Sequence, residues 1–351
     1  MTITINKKEY PLHTLDTGAQ ELSKKRWDSI AKPLHSLGKM EDLVIQTAGI
    51  TGDANVTYDK KALIVMCADN GVVAEGVTQS EQNVTAIVSE NFLSDKATAA
   101  ILCKQTGAEI FPIDIGIAVD TKLENHKIAY GTKNMAKEPA MTREEAEKAM
   151  EVGIEKVREL SGQGYKIIAT GEMGIGNTTT SSALASYFLQ EDVEKMTGRG
   201  AGLTSKALEK KIAVVRKAIA DYSPVFTDAI DALAALGGFD IAGMAGVFLG
   251  GAIYRVPIVM DGFISSTAAL TATRICPACK DFIMASHVSK EPAAEKILAA
   301  MDKEAALHCD MCLGEGTGAV TLFPILDLAT QIYEQMSTFE DIEIDAYVEL
   351  K

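Results

Sequence analysis

The sequence predicts an α/β fold: a doubly wound, mainly parallel sheet with helices on both faces, together with a small helical subdomain from the chain ends. Three observations indicate this fold. Short apolar runs recur along the chain, helical patterns lie between them, and glycine-rich polar loops follow them. With 351 residues, the chain is long enough for one large domain or two smaller ones.

The predicted strands are continuous apolar runs rather than alternating patterns. Such runs are typical of strands that are covered on both faces, as in a parallel sheet. The five runs are 62–67, 109–115, 166–170, 256–260 and 281–286.

Helix-start and helix-stop signals lie between these runs. Thr142 and Glu145 form a capping box, which predicts a helix over 142–162. The segments 223–237 and 94–107 both begin at a serine and end at a glycine, and a proline follows the serine in the first of them. Strand–helix alternation of this kind favours βαβ units.

The two chain ends differ from the middle. The first 50 residues look helical and contain no strand that obviously joins the sheet, and the tail from about residue 327 is helical and then acidic. We therefore expect a small helical subdomain over residues 1–55 and 328–351, beside an α/β catalytic domain over residues 56–327.

Composition argues against several classes of function. The formal net charge of −14 argues against a nucleic-acid partner and against binding to an anionic membrane surface. The first ten residues contain no apolar signal core, so we expect a cytoplasmic protein. The most apolar run, 242–260, is interrupted by Arg255 and Pro257, and it predicts a buried helix that leads into a buried strand.

Four of the six cysteines form two C-x-x-C pairs, Cys276 with Cys279 and Cys309 with Cys312. Such pairs are found in structural zinc sites and in redox sites. The gap between the pairs is longer than in a zinc ribbon, and the first pair lies within a compact α/β pattern. We therefore favour free thiols in a reducing compartment over zinc or a redox pair, and we predict no catalytic metal.

Five loops rich in Gly, Asp, Ser or Glu predict a ligand site. In open α/β sheets, ligands bind beyond the carboxyl ends of the strands. Four of the loops follow predicted strands, and the fifth lies near the end of the chain. They are 68–76, 171–180, 261–266, 287–291 and 313–319.

The loop GEMGIGNTTT (171–180) fits the P-loop spacing, except that Asn177 replaces the lysine. Its glycines let backbone N–H groups approach a phosphate, and its threonines open a helix whose positive N-terminus favours an anion. Without the lysine, nothing in this motif bridges β- and γ-phosphates. The motif therefore favours a monophosphate over ATP, and the competing interpretation is a glycine-rich turn that binds no ligand.

Two glutamates accompany these loops. Glu172 lies within the glycine-rich turn, and Glu315 lies between Gly314 and Gly316. Acidic groups would repel a phosphate, so they serve another part of a substrate, either by accepting a proton or by stabilising an oxocarbenium ion. Burial would raise a glutamate pKa towards neutrality, which suits a general base. The competing role for Glu315 is a helix cap.

Further candidates each have a competing structural role. A strand-end histidine is either a ligand or base, or a structural group with satisfied hydrogen bonds. Asp69 and Asp261 either hold ribose hydroxyls or cap helices. Ser289 and Glu291 are N-cap partners before they are ligands. Lys211 matters only if it reaches the phosphate. These residues are His287, Asp69, Asp261, Ser289, Glu291 and Lys211.

Eight motifs, in order along most of the chain, carry a family resemblance. They are LGKMEDLVIQTAGITG (37–52), ADNGVVAEGV (68–77), GEMGIGNTTTSSAL (171–184), GRGAGL (198–203), LGGFDIAGMAG (236–246), MDGFISSTAAL (260–270), ASHVSKEP (285–292) and LGEGTGA (313–319). On these motifs the sequence resembles the nicotinate-nucleotide–dimethylbenzimidazole phosphoribosyltransferase family.

The resemblance implies transfer of ribose 5-phosphate from nicotinate mononucleotide to 5,6-dimethylbenzimidazole or a related lower-ligand base of cobalamin. The implied products are α-ribazole 5′-phosphate, with inversion at the anomeric carbon, and nicotinate. The family is a cytoplasmic homodimer that needs no redox cofactor. We therefore expect a homodimer with small-molecule substrates and no cofactor.

The resemblance also implies roles for individual residues. Glu315 matches the general base, and Glu172 matches the second acidic residue of the site. Gly174, Gly176, Asn177 and Thr178 fall where the family holds the phosphate, and Lys211 matches a lysine near it. From their loops, we also expect Asp261, Ser289, Gly314 and Gly316 to bind the substrates.

Some positions depart from the family pattern. Asn70 stands where the family commonly has histidine, Ala201 replaces a threonine, and KPLHSLG (32–38) replaces KPPGSLG. The segment 78–83, TQSEQN, lies where the base pocket is expected. Adenine, other benzimidazoles and phenols therefore stay open as acceptors.

Two further functions compete with the transferase, a non-catalytic nucleotide-binding subunit and a P-loop-like NTPase. The retention of both glutamates argues against the non-catalytic subunit.

Overall fold

A computed structural model describes residues 1–348 of the chain. Its strands are β1 (Thr2–Ile5), β2 (Lys8–Pro11), β3 (Lys61–Ala68), β4 (Ala108–Gly116), β5 (Glu124–Asn125), β6 (Ile167–Met173), β7 (Ile258–Met260) and β8 (Ile283–Ala285). Its α-helices are α1 (Thr17–Ser29), α2 (Lys39–Thr51), α3 (Val84–Asn91), α4 (Thr98–Thr106), α5 (Arg143–Gly162), α6 (Asn177–Leu189), α7 (Val193–Met196), α8 (Ser205–Tyr222), α9 (Ala229–Leu236), α10 (Phe239–Tyr254), α11 (Phe263–Ile275), α12 (Ala294–Ala300) and α13 (Thr317–Gln335). Residues 349–351 of the predicted helical subdomain lie outside the described residues.

Strands β3 to β8 form one parallel sheet in the order β5–β4–β3–β6–β7–β8. From β3 the chain builds outwards through β4 and β5 on one side, and then through β6, β7 and β8 on the other. This order confirms the predicted doubly wound parallel sheet. The reversal lies between β3 and β6, which is where such sheets bind ligands.

Helices cover both faces of the sheet, as predicted. All eight residues of β3 are buried. Met66 and Leu63 are three residues apart on this strand, so their side chains point to opposite faces. Helix α10 covers the face of Met66, where a Cβ added to Gly243 would lie 3.0 Å from the Met66 sulfur. The start of α13 covers the face of Leu63, where a Cβ added to Gly316 would lie 2.4 Å from the Leu63 side chain.

Most of the predicted elements are confirmed. The five apolar runs overlap β3, β4, β6, β7 and β8, in that order. The capping box of Thr142 and Glu145 is formed in both directions and opens α5. The apolar run 242–260 is a buried helix that leads into β7. Among the described residues, no helix is both long and apolar enough to cross a membrane.

Two predicted helix starts are wrong. Residues 223–225 form only a 3-10 turn, and the helix begins at Ala229. Asp228 is the N-cap, since its carboxylate accepts the N–H groups of two residues in the first turn and so competes better than the serine. The helix predicted from residue 94 begins at Thr98. The predicted glycine closes each helix.

The N-terminal end is not entirely helical, contrary to expectation. Strands β1 and β2 pair as an antiparallel hairpin that does not join the central sheet. The two turn residues, Asn6 and Lys7, both have positive φ, of 46° and 64°. A two-residue turn of this kind matches the twist of a hairpin. An asparagine between short alternating segments is the sequence signal for it.

The chain ends meet in a second, smaller core. Helices α1 and α2 pack on each other, and α2 packs on α13. The core contains Trp27, Ile30, Val44, Ala329 and Tyr333. Because α13 runs continuously through residue 327, it crosses the predicted boundary, and the division into two domains stays a prediction.

Candidate active site

A cavity of about 340 Å³ lies at the carboxyl ends of the strands. Four of the five predicted loops line it, namely those after β6, β7 and β8 and the loop before α13. The loop after β3 packs behind the wall, where a Cβ on Gly174 would lie 2.6 Å from the carbonyl oxygen of Ala68. A volume of this size suits a small molecule.

Glu172 is a buried carboxyl group in the cavity wall. It lies near the end of β6 and is 7% exposed. One of its oxygens accepts a hydrogen bond from the Asn177 amide, and the other accepts one from the backbone N–H of Glu315 at 3.4 Å. Burial raises the pKa of Glu172 to about 8, and the nearby charge of Asp240 adds to this effect. Glu172 is therefore largely protonated at neutral pH.

Asp240 is a second buried carboxyl group, which the sequence analysis did not single out. It lies in the first turn of α10 and is completely buried. The Asn177 amide nitrogen donates to it at 3.0 Å as well as to Glu172, so one amide links the two acids. Burial raises the pKa of Asp240 to about 6. It is the sole charged residue in the 16-residue α10, and this isolation is the signal that would have revealed it.

Asp261 fixes the loop that carries Glu315. One of its oxygens accepts the N–H of Gly316 at 3.2 Å, and the other accepts those of Gly318 and Ala319 at 2.7 and 3.1 Å. Asp261 therefore caps α13, a helix that begins more than 50 residues further along the chain. Burial raises its pKa to about 6, while these backbone hydrogen bonds oppose the shift. It also lines the cavity, and its predicted contact with a substrate stays a prediction.

Glu315 reaches the same part of the cavity from the loop before α13. It has a φ of 62° and lies between Gly314 and Gly316, at φ 92° and 82°. This left-handed stretch brings the loop so close to Glu172 that a Cβ on Gly314 would lie 2.4 Å from its carboxylate. The Glu315 side chain is half-buried and accepts the N–H of Ala99 at 3.4 Å. Burial raises its pKa.

The opposite part of the cavity is built from the start of α6. Gly176, at φ 94°, precedes the helix, and no side chain caps this helix N-terminus, which lines the cavity. Lys211 comes from α8 and is 1% exposed. Its ammonium group donates to the Thr178 hydroxyl at 2.9 Å and to the carbonyl oxygen of Gly198 at 3.2 Å. Burial lowers its pKa to about 8, and the nearby charge of Glu291 opposes this shift.

A lysine therefore does stand at the glycine-rich turn, although the motif itself contains none. Both of its hydrogen bonds go to neutral oxygens, so a buried positive charge is held beside a helix N-terminus. This combination favours an anionic ligand.

The residues that follow β8 connect the two ends of the cavity. His287, Ser289 and Glu291 all line it. Glu291 lies at the lysine end, where a Cβ on Gly198 would lie 1.8 Å from its carboxylate. His287 is 5% exposed, and within residues 1–348 neither of its ring nitrogens has a hydrogen-bond partner. His287 is therefore not the satisfied structural group that the sequence also allowed.

The structure brings most of the predicted site residues together. Those that line the cavity are Glu172, Gly174, Gly176, Asn177, Thr178, Asp261, Ser289, Gly314 and Glu315. Lys211 contacts this wall through Thr178, and Gly316 adjoins it as the N-cap of α13. Asp69 lies behind the wall, where it accepts the N–H of Ala118 at 2.8 Å.

Two departures from the family pattern lie close to the site. Ala201 lines the cavity. The Asn70 side chain lies behind the cavity wall, near Asp240. Both side chains border Gly238, since a Cβ added there would lie 2.3 Å from the Asn70 side-chain oxygen and 2.5 Å from an Asp240 oxygen.

The cysteines are present as free thiols. Cys276 and Cys279 are buried, whereas Cys309 and Cys312 are exposed, with Cys312 at the cavity wall. Over residues 1–348, no three or more His, Cys, Asp or Glu side chains are grouped so that they could hold a metal ion.

Comparisons with known proteins agree on one family. The family model DBI_PRT, a phosphoribosyltransferase, matches residues 12–344. The chain is 49% identical over 343 residues to the nicotinate-nucleotide–dimethylbenzimidazole phosphoribosyltransferase of Clostridium acetobutylicum, covering 97% of each chain. It is 48% identical over 330 residues to the protein of the same name from Acetivibrio thermocellus, covering 93% of this chain and 94% of the relative. The crystal structure of CobT from Thermus thermophilus is similar with a TM-score of 0.89 and 34% identity, covering 93% of this chain and 99% of that chain.

Proposed function

The chain belongs to the nicotinate-nucleotide–dimethylbenzimidazole phosphoribosyltransferase family, and we propose that its reaction takes place between Lys211 and Glu315. The protein is a pentosyltransferase of cobalamin nucleotide-loop assembly. Nicotinate mononucleotide donates ribose 5-phosphate to 5,6-dimethylbenzimidazole, which gives α-ribazole 5′-phosphate and nicotinate. The bond from the anomeric carbon to the nicotinate nitrogen breaks, nicotinate leaves with the electron pair, and a benzimidazole nitrogen forms the new bond.

The single observation that carries this proposal is that one cavity has a buried ammonium group beside a helix N-terminus and a cluster of buried carboxyl groups around Glu315. Lys211 and Thr178 form the end that we call positive, and Glu172, Asp261 and Glu315 form the acidic end. A phosphate ester of ribose fits this arrangement, because its anion and its reacting carbon are at opposite ends of the molecule.

At the positive end, the donor phosphate accepts hydrogen bonds from the backbone N–H groups of Gly176 and Thr178, from the Thr178 hydroxyl and from Lys211. The buried ammonium group gains a counterion, which offsets part of the cost of its burial. A single phosphate is sufficient for this contact, which fits the absence of a lysine from the motif itself.

At the acidic end, Glu315 takes the ring N–H proton of the acceptor as general base. Its raised pKa places it closer to neutrality, and it is more exposed than Glu172, so a base can reach it. Glu172 faces the anomeric carbon. The positive charge that develops there stabilises its ionised form, which burial otherwise disfavours.

The acceptor binds beside Glu315, within reach of its carboxylate. Thr78, Val88 and Met173 contribute to the cavity wall. Two of these three side chains are apolar, which suits a flat aromatic base. Dimethylbenzimidazole is the acceptor that we propose, and adenine and phenolic bases are the competing acceptors.

The protein acts as a cytoplasmic homodimer in this proposal. Large apolar side chains are exposed on neighbouring elements, with Ile101 of α4 48% exposed and Leu328 of α13 56% exposed. Because α4 and α13 pack on each other, these side chains form a candidate contact surface for a second copy. Free exposed thiols on Cys309 and Cys312 fit a reducing compartment.

Product identification by mass spectrometry tests the proposed function. The purified protein is incubated with nicotinate mononucleotide and, in parallel, with dimethylbenzimidazole, adenine or p-cresol. We expect release of nicotinate together with the dimethylbenzimidazole riboside phosphate. Donor binding without any product would support a non-catalytic nucleotide-binding subunit, and phosphate release from ATP would support an NTPase.

A further inference from the structure

His287 is a buried polar side chain to which the proposed mechanism gives no role. It is 5% exposed and lines the cavity, and neither ring nitrogen has a hydrogen-bond partner within the described residues. Buried polar groups are seldom left in this state, because an unmade hydrogen bond inside a protein is costly. Both nitrogens have less than 1 Å² of accessible surface, so the ring has to turn slightly towards the cavity to contact a polar group of a bound molecule.

Two glycines pack closely against the ring. A Cβ on Gly318 would lie 2.1 Å from Nδ1 of His287, and a Cβ on Gly262 would lie 3.2 Å from Nε2. Neither site has room for a larger residue without displacing the ring. The adjacent Asp261 does not fix the ring, because its oxygens accept the backbone N–H groups at 316, 318 and 319.

The chemistry of the ring suits a hydroxyl group. Burial lowers the pKa of His287, so the imidazole is neutral at physiological pH, with one N–H donor and one acceptor nitrogen. A hydroxyl can donate and accept in the same way, whereas a phosphate would favour the charged form of the ring.

The position along the cavity indicates that the hydroxyl belongs to the sugar of the ligand. His287, Ser289 and Glu291 follow one another at the end of β8 and all line the cavity. Glu291 lies beside the lysine end, whereas His287 lies against the loop and helix start that carry Glu315. A ligand with its phosphate at Lys211 and its anomeric carbon at Glu315 therefore carries its sugar ring past His287.

We propose that His287 binds a ribose hydroxyl of the donor, with Ser289 beside it, and so selects ribose over deoxyribose. Ser289 supports this assignment, because its Cβ lies 3.4 Å from the same Gly262 position that the ring borders. This inference rests on the proposed function, since it assumes that a ribose phosphate occupies the cavity.

The test measures kcat and KM for the wild type and for His287→Ala with nicotinate mononucleotide and its 2′-deoxy and 3′-deoxy forms. We expect His287→Ala to lose about ten- to hundredfold in kcat/KM with the ribose donor and little with one deoxy donor. The ratio of kcat/KM for the ribose donor to kcat/KM for a deoxy donor is compared between the wild type and His287→Ala. The intrinsic difference in reactivity between the two donors cancels in this comparison. His287→Gln retains polar groups and should recover part of the selectivity, and His126→Ala, on the surface, should leave it unchanged.

The inference is overturned if His287→Ala keeps the wild-type preference for ribose, or if the wild type has no such preference. A binding arm separates this outcome from failure of the proposed function. The affinities of the wild type and His287→Ala for ribose 5-phosphate and 2- and 3-deoxyribose 5-phosphate are measured by calorimetry, which needs neither a base nor turnover. A wild type that converts no base would end the proposed function, and the binding arm would still decide the role of His287.

Discussion

The two ends of the cavity use buried charge in opposite ways. At the lysine end, one ammonium group is almost completely buried and donates to neutral oxygens. At the other end, Glu172, Asp240 and Asp261 are buried together, and burial raises the pKa of each. Burial therefore disfavours the charged form of the groups at both ends, and a ligand with an anionic tail and an electron-poor carbon would favour the charged forms.

The two ends also differ in how the chain builds them. The lysine end joins a local turn to one residue from a distant helix. The acidic end joins residues from β6, α10, the loop after β7 and the loop before α13, and backbone N–H groups donate to all four of its carboxyl groups. The acidic end should therefore respond to substitution mainly in turnover, and the lysine end mainly in donor binding.

The largest expected effect comes from Glu315→Gln. The amide cannot take the acceptor proton, so we expect kcat to fall by about a hundredfold or more. Donor affinity, measured by calorimetry, should change little because the phosphate contacts lie at the other end. Glu340→Gln, on the exposed surface, is the matched control. Full turnover in Glu315→Gln would remove this residue from the mechanism.

A smaller effect, of a different kind, is expected for Lys211→Met. Loss of a charged hydrogen bond to the phosphate should raise KM for nicotinate mononucleotide by about ten- to hundredfold. Nicotinate riboside, which lacks the phosphate, should react equally well with the variant and the wild type. Lys210→Met is the control, because Lys210 is the exposed neighbour on the same helix. An equal loss with both donors would mean that Lys211 serves the structure of the site rather than the phosphate.

The smallest expected effect is a change in the pH dependence of stability, and it tests the acidic end of the cavity alone. The pKa of Glu172 in the folded protein is about 8, above its ordinary value of 4.5, so the folded state binds this proton more tightly than the unfolded state does. The contribution of the protonated Glu172 carboxyl to the free energy of unfolding is fully present below the ordinary glutamate pKa of 4.5, and it is lost as the pH rises through about 8. Between pH 6 and 8, this group should lower the free energy of unfolding by about 1–3 kcal/mol.

Thermal unfolding of the ligand-free protein between pH 6 and 8 measures this loss. In Glu172→Gln the residue no longer titrates, so the melting temperature should fall less with pH than in the wild type. Glu340→Gln should follow the wild type. An identical pH dependence in Glu172→Gln and the wild type would mean that Glu172 is ionised in the free protein, contrary to the contrast between the two ends.

Much of the fold could be predicted because its signals are local. Continuous apolar runs indicated five of the six strands of the sheet, and a capping box indicated α5. Strand β5 has only two residues, both exposed, so it carries no apolar signal. The start of α9 was misplaced because two possible caps lie five residues apart, and the aspartate forms the stronger one.

The candidate site was predictable to a different extent at each end. The glycine-rich turn and Glu315 stand out because glycines on both sides mark close backbone approach. Asp240 was missed because its partner, Asn177, lies 63 residues away, so only the fold shows that the lone charge of α10 belongs to the site. His287 was noticed, but whether its ring nitrogens find partners depends on what packs around them.

By itself, the sequence determined the parallel sheet, the phosphate-type turn and the presence of two glutamates in glycine-rich loops, since backbone preferences and apolar runs are properties of neighbouring residues. Only the tertiary structure decided that Lys211 completes the turn, that Asp261 caps α13, and that Asn177 links two acids. The reason is physical: burial and the attraction or repulsion of charges act through space, and they depend on residues that the fold brings together from distant parts of the chain.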